Sequence, residues 1–356
     1  MTDVIRKAME VGFDKKQKPS MFLSNLFNKK QLKGIKVELQ GRVVKGVYSV
    51  DVKLGTGGRY NALEEYDKRD FIVPEYNDIA SLTEEDMFKA QFGQTEYDQT
   101  ASIINTINDG QEILSDKQRR AEEKQASDAL FEGKIVLTGG NTIDFKKKSA
   151  HNVNKTSAKW NTSGGDPIAD ISALIALCIA DAKISASEWN LVLEEGGLNA
   201  LLSNAKFKAN SNWNEGIKRS DIAMPEELTA GAMFHGRFSC GSYIVNLWSY
   251  NEKYTIPTGY GFANEGNSYG YIPSGKGLLF PMNPNFVRYY GAINNTNAPS
   301  TPGIGGNKLE LREVEQLPYA YDVLEDGSAT TKFGVKSRPL YVPVDVHSFG
   351  TFYNLI

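Results

Sequence analysis

The stretch DPIADISALIALCIADA, residues 166–182, decides how this chain is read. Asp166 suits an N-cap, because its carboxylate can accept an N–H of the first helical turn. Pro167 suits the first helical position, where no hydrogen bond is lost by its missing N–H. Ile168, Ile171, Ile175, Cys178 and Ala182 then recur at helical spacing and mark one buried face. A helix of this kind needs an apolar surface to cover, and the following sequence offers strands. Trp189, Leu191 and Leu193 predict a short strand, and Leu198 to Asn204 a small helix. Tyr243, Val245 and Leu247 alternate within 242–249, and Leu278–Phe280 and Phe286–Tyr290 are further strand candidates. Helices and strands in this order imply an α+β fold.

Upstream, residues 95–132 hold no proline and are rich in helix formers. Their apolar positions are sparse: Ile103, Ile104, Ile107, Leu114, Ala121, Leu130 and Phe131, with 115–127 almost wholly polar. So narrow a stripe predicts a long helix lying across a surface, with Glu122 and Glu123 as surface charges. Gly133 sits where a C-terminal cap belongs. Residues 135–138 and 142–145 read as a hairpin about Gly139-Gly140-Asn141.

Further upstream, Tyr48, Val50, Val52 and Leu54 alternate with Ser49, Asp51 and Lys53, a half-exposed strand. Gly55-Thr56-Gly57-Gly58 breaks it, a polar run follows from Glu64 to Asp70, and Phe71-Ile72-Val73 returns until Pro74. Such a ribbon buries too little to stand alone and needs a partner surface. Residues 250–277 look loop-like, 294–307 like a linker, and 339–356 β-prone.

The length, 356 residues, allows two packed domains, and the net charge of -3 carries no global nucleic-acid signature. Cys178 and Cys240 are far apart, which predicts no disulfide framework and folding in a reducing cytoplasm. No secretory signal opens the sequence, and the longest apolar stretch, 168–182, is broken by Asp170 and too short to span a bilayer. A soluble protein with no membrane partner is expected. Charge is uneven, however. Residues 1–36 carry Arg6, Lys7, Lys15, Lys16, Lys18, Lys29, Lys30, Lys33 and Lys36 against Asp3, Glu10 and Asp14. The functional reading is an arm that clasps an acidic neighbour or faces nucleic acid.

Catalytic patterns mostly fail. Residues 270–277, GYIPSGKG, follow the phosphate-loop pattern up to the last position, where Gly277 replaces the magnesium-binding Ser or Thr. His151, His235 and His347 lack a second histidine at ligand spacing and read as surface or interface side chains. Cys178 reads as a small core hydrophobe. No catalytic residue, metal or cofactor is expected. An arm, a ribbon, a long polar helix and a Gly/Tyr/Asn loop together describe a subunit completed by its neighbours.

Several segments in order resemble the phage capsid protein E family of lambda-like tailed phages. They are Met21–Phe27, Tyr48–Pro74, Glu122–Ala126 through Lys134 and Thr138-Gly139, and Lys159-Trp160. Asp166-Pro167 with Asp170-Ile171, Asn190–Leu193 with Gly197-Leu198, Tyr271–Pro273, Arg288–Ile293 and Pro339-Leu340 continue the match. The resemblance implies the Hong Kong 97 phage major capsid fold, with an N-terminal arm at 1–40 and an extended β-hairpin loop at 41–78. A peripheral domain at 79–185 would hold the spine helix near 95–132, an axial domain would span 186–304, and 305–356 would return to the periphery. Residues 250–277 and 294–335 look longer than the family's corresponding segments.

The implied function is a major capsid protein forming hexamers and pentamers of an icosahedral head around double-stranded DNA, assembled in the host cytoplasm. Inter-subunit contacts are expected from Lys53, Gly55, Gly57, Gly58, Arg59, Tyr60, Tyr66 and Lys68 of the loop, and from Lys15, Lys16, Lys29 and Lys30 of the arm. The short stretch before residue 20 leaves no room for a built-in scaffold. A separate scaffolding protein and a portal protein are therefore expected partners, with a decoration protein as a further one. Some relatives weld their shells by a Lys–Asn isopeptide bond; Lys53, Lys68 and Asn354 could be cast in those roles, but the uncrosslinked kind is the closer resemblance. The competing readings are an encapsulin-type compartment, which shares the fold, and an enzyme with a phosphate loop at 270–277.

Overall fold

The computed structural model describes residues 21–42, 66–82, 96–137, 141–210, 231–259, 264–295, 310–325 and 328–356. The chain enters through a short helix α1 (Phe22–Asn25) and a strand β1 (Asn28–Gln31). Strands β2 (Lys36–Arg42) and β3 (Tyr66–Ile72) pair antiparallel, Lys36 opposite Ile72 and Arg42 opposite Tyr66. The alternating strand expected at 48–54 and its glycine break lie outside the described residues. The polar run once assigned to the connection is itself strand from Tyr66 to Asp70, because a ribbon with solvent on its outer face tolerates charge there. Strand β4 (Tyr76–Leu82) follows Pro74.

Helix α2 (Glu96–Phe131) runs for 36 residues, a length its lack of proline permits. Gly133 ends it with φ +67°, where a Cβ would also meet the Lys147 Cβ at 2.7 Å. The predicted hairpin forms as β5 (Lys134–Val136) and β6 (Thr142–Asp144). After β7 (Asn152–Asn154) comes α3 (Pro167–Ala182), with the Asp166 carboxylate accepting the Ala169 N–H at 3.1 Å. Its buried face is Ile171, Leu174, Ile175 and Cys178. Each such aliphatic side chain removed from water contributes about 1.5–3 kcal/mol.

Strand β8 (Glu188–Leu193), helices α4 (Glu195–Ser203) and α5 (Ala205–Asn210), and strands β9 (Ala232–Cys240) and β10 (Tyr243–Tyr250) come next. The expected loop at 250–277 contains a small ladder, β11 (Lys253–Thr255) with β12 (Ser268–Gly270). Strands β13 (Gly277–Pro281), β14 (Phe286–Tyr290) and β15 (Ile293–Asn295) lead to β16 (Glu310–Arg312), which pairs with β15 across the expected linker. A long hairpin, β17 (Gln316–Glu325) and β18 (Ser328–Ser337), precedes β19 (Pro339–Pro343) and β20 (Gly350–Tyr353).

Three sheets organise most of these strands. A six-stranded sheet runs β7-β20-β13-β8-β10-β9, and α3, α4 and α5 cover it through Leu174, Ile175, Leu198, Leu201 and Phe207, with Trp160 packed in before α3. Strand β8 is buried on both faces from Trp189 to Leu193, so its alternation understated its burial. A second sheet, β1-β14-β19, and a third, β17-β18-β4, both pack against α2.

The position of α2 corrects the sequence reading. Gln111, Ser115, Gln118, Arg119, Glu122, Glu123, Gln125 and Ser127 are all buried beside Ala126, Ala129, Leu130 and Phe131. The helix is embedded on this side, and remote partners satisfy part of its polar stripe, while among the described residues the Gln111 amide, Gln118 Oε1 and Arg119 Nη2 have no hydrogen-bond partner. Ser115 donates to the Gln316 side-chain oxygen at 2.6 Å, and Gln118 to the Val335 carbonyl at 2.6 Å. A narrow apolar stripe signals exposure only when no sheet supplies polar partners.

Candidate assembly interface

Two adjacent carboxylates on α2 face opposite ways and hold the subunit's outer pieces to its body. Glu123 is 0% exposed; its Oε1 accepts the Leu23 N–H at 2.7 Å and the Tyr250 O–H at 2.7 Å. Its Oε2 accepts the Ser24 N–H at 2.8 Å. Helix α1 has no capping side chain of its own, so Glu123 caps it from across the fold. Phe22, Leu23 and Phe27 are buried alongside, with the Phe27 ring edge-on to Tyr341 at 5.0 Å.

Glu122 turns the other way. Its Oε2 accepts the hydroxyls of Tyr290 at 2.9 Å and Tyr341 at 2.8 Å, and Oε1 that of Ser337 at 3.2 Å. Burial pushes both carboxyls above the ordinary glutamate range, against the pull of these donated hydrogen bonds. Both residues were expected at the surface. Sequence proximity to Arg119, Arg120 and Lys124 hid the fact that tyrosines about a hundred or more positions away complete them.

At the ribbon root, Val37 and the half-buried Phe71 face each other across β2 and β3 and pack into a cluster with Phe145, Leu340 and Val342. The outer face carries Ile72, 67% exposed, and the Lys36–Asp70 ion pair at 2.8 Å. Arg338 clasps the exit of the ribbon. Its Nε donates to Glu75 at 2.9 Å, its Nη2 also reaches Glu75, and its Nη1 donates to the Ala292 carbonyl at 2.8 Å.

Of the residues assigned to loop contacts, Lys53, Gly55, Gly57, Gly58, Arg59 and Tyr60 lie outside the described residues, as do Lys15 and Lys16 of the arm. Tyr66 and Lys68 fall within β3, opposite Arg42 and Gln40. Lys29 and Lys30 sit at exposed positions of β1, Lys29 paired with Glu315 of the same chain at 2.7 Å and Lys30 over the Tyr289 ring. Asn354 adopts φ +57° and donates to the Asn154 side chain at 2.7 Å.

The histidine expectation needs correcting too. His151 is 0% exposed, hydrogen-bonded to Asp181 at 2.8 Å, and lies 3.5 Å from the Cys178 sulfur. The constellation has a triad's residue types but no chemistry: burial pushes the Cys178 thiol up to about 12, and Cys178 itself is 0% exposed. Among the described residues no group of three or more His, Cys, Asp or Glu could hold a metal. The phosphate-loop look-alike leads into strand β13, not a helix, and the Gly275 N–H is taken by Glu194 at 2.8 Å. Gly277 packs so tightly that a Cβ would meet Leu193 at 2.5 Å. No helix of the described residues is long and apolar enough to cross a membrane.

The family model of phage major capsid protein E matches residues 14–349. This chain belongs to that family. It is a capsid shell protein of the phage major capsid protein E family, and the family's role is structural, not enzymatic. No curated protein matches it by sequence. Among solved structures it is similar to a prophage protein of Escherichia coli CFT073 described as a capsid protein, at 18% identity and TM-score 0.64, covering 99% of this chain and 98% of that one. It is also similar to a phage-related protein of Bordetella bronchiseptica RB50, at 12% identity and TM-score 0.48, covering 98% and 96%. A structure from Mycobacterium phage Bobi matches at 11% identity and TM-score 0.48, covering 95% and 91%. The capsid protein's mixed α+β fold is the Hong Kong 97 capsid fold, with α2 as its spine helix.

Proposed function

We propose that this capsid protein self-assembles into hexamers and pentamers of an icosahedral phage head around double-stranded DNA, the β2–β3 ribbon lying over a neighbouring subunit. One observation carries the reading: among the described side chains of the ribbon, Val37 and Phe71 pack at its root while Ile72 stands 67% exposed on its outer face. A two-stranded ribbon is marginal alone, so a neighbour's surface completes it. The contact residues are Lys53, Gly55, Gly57, Gly58, Arg59, Tyr60, Tyr66 and Lys68, with Lys15, Lys16, Lys29 and Lys30 of the arm. Each contact is weak, and the number of copies multiplies them into a stable shell.

In this layout the arm is 1–40, the extended loop 41–78, the peripheral domain 79–185, the axial domain 186–304 and the returning segment 305–356. The six-stranded sheet supports the axial body, and the joint of Glu122 with Tyr290, Ser337 and Tyr341 supports the return of the last segment to the spine helix. A separate scaffolding protein, a portal and a decoration protein are its partners. The shell stays without Lys–Asn welding, and assembly takes place in the host cytoplasm. The wall faces DNA without holding it tightly: Lys146, Lys148, Lys155 and Lys276 are each paired with a carboxylate.

Electron microscopy of the chain expressed alone and with its neighbouring small reading frames tests this. Closed polyhedral shells or capsomer rings are expected. A monomer under every condition refutes the reading, and shells filled with a protein cargo in place of DNA assign an encapsulin-type compartment instead.

A further inference from the structure

At the junction of the first two sheets lies a cavity of about 490 Å³, between the start of β8, the β13–β14 turn and the β19–β20 turn. Its charged lining is Glu188 and Asp345; the rest is Ser, Asn, Ala, Pro, Ile and Met, with no lysine or arginine. Glu188 is already engaged, accepting from Asn246 at 3.0 Å and facing Arg237 at 3.8 Å. Among the described residues the Asp345 carboxylate receives the His347 N–H at 3.3 Å, and no lysine or arginine pairs with it. Burial raises its pKa, as expected of a half-buried carboxylate lacking a cation. Met282 in the lining is 51% exposed, and two further exposed apolar residues lie next to the lining carboxylates in register or sequence: Ile244, 47% exposed, pairs with Glu188, and Val344, 37% exposed, precedes Asp345. Exposed apolar side chains beside an acidic hollow fit a segment that is both cationic and apolar.

The sequence contains such a segment. Residues 11–18 read Val-Gly-Phe-Asp-Lys-Lys-Gln-Lys, an aromatic anchor followed by three lysines. We propose that this cavity is the receptor for residues 11–18 of a second copy, Phe13 against Met282 and Val344 and a lysine of 15, 16 or 18 on Asp345. The inference rests on the assembly reading above and names the surface that the basic arm grips. It gives Asp345, which no lysine or arginine of the described residues pairs with, a cation from the neighbour.

Zero-length carbodiimide coupling of assembled wild-type shells tests it. Light and heavy-isotope subunits are mixed before assembly, and the coupled peptides are read by mass spectrometry. The expected result is Lys15, Lys16 or Lys18 joined to Asp345 or Glu188, with mixed-label pairs as frequent as same-label ones. Same-label pairs alone show the arm folding onto its own subunit and overturn the proposal. Shells that couple these two carboxylates to other lysines, or not at all while other pairs couple, overturn it as well. Failure to form shells removes the assembly reading itself, and this inference with it. Met282→Asp supplies a second arm: shells lacking the coupled peptides, with ribbon contacts unchanged, are expected, and undiminished coupling refutes the apolar contact.

Discussion

Replacing Glu123 with alanine strips three buried donors of their acceptor: the N–H groups of Leu23 and Ser24 and the hydroxyl of Tyr250. Each buried donor left unpaired costs about 1–3 kcal/mol. Relief from burying a carboxylate offsets part of this, leaving a net loss of roughly 3–4 kcal/mol, within what broken buried charge networks cost. Glu123→Gln keeps the size and one accepting oxygen but turns an amide N–H toward a donor, for a loss of about 1–2 kcal/mol. Tyr250→Phe leaves both backbone donors on the carboxylate and costs about 1 kcal/mol. Urea unfolding of the subunit, followed by tryptophan fluorescence, measures the series. The Trp248 ring lies 5.9 Å from Phe22, so its emission also reports release of the entry helix. The expected order of loss is alanine, then glutamine, then the Tyr250 variant. A Glu123→Ala subunit within about 1 kcal/mol of wild type refutes the capping role, as does a Tyr250→Phe loss equal to that of alanine.

Lys147 donates to the Leu130 carbonyl at 3.0 Å and to Thr351, and burial lowers its pKa to about 7. Above that value the unfolded chain holds a proton the folded one has lost, so stability rises with pH up to the ordinary lysine range; Lys147→Met should abolish that slope in urea midpoints measured from about pH 7 to pH 10. Cys178 and Cys240 are buried, with thiols raised to about 12 and about 11, so iodoacetamide should add mass to neither until urea unfolds the subunit. Arg338→Ala releases the ribbon exit from Glu75 and Ala292, and micrographs should show fewer closed shells with a broader spread of diameters, while the subunit's melting changes little. Gly57 and Gly58 exchanged for valine should likewise reduce shell yield with the subunit's own stability unchanged; normal particles refute a contact role for that turn.

The parts of the fold that local chemistry dictates were legible. Asp166 and Pro167 announced α3, and the apolar runs at 278–280 and 286–290 announced β13 and β14. What stayed hidden depends on distant partners. Strand β18 carries Gly334 and Lys336 and pairs with β4 some 250 positions earlier, Gly334 opposite Ile79, so no local pattern reveals it. Strand β9 is interrupted by a register break against β10, which blurs its alternation. The joint at Glu122 and Glu123 looked like an ordinary charged helix face, since the hydroxyls and amides that satisfy it come from five other elements. The cavity beside Asp345 was not legible, being assembled from three separated turns.

Strand β20 occupies an inner slot of the six-stranded sheet, between β7 and β13, and its Phe352 reaches the core beneath α3. Every other strand of that sheet leaves the ribosome before it. Until 350–353 emerges, the strand that bridges β7 and β13 in the finished sheet is missing. Closing a loop of nearly two hundred residues is slow and must await the end of translation of this strand. The six-stranded sheet is therefore completed only once residues 350–353 have been made.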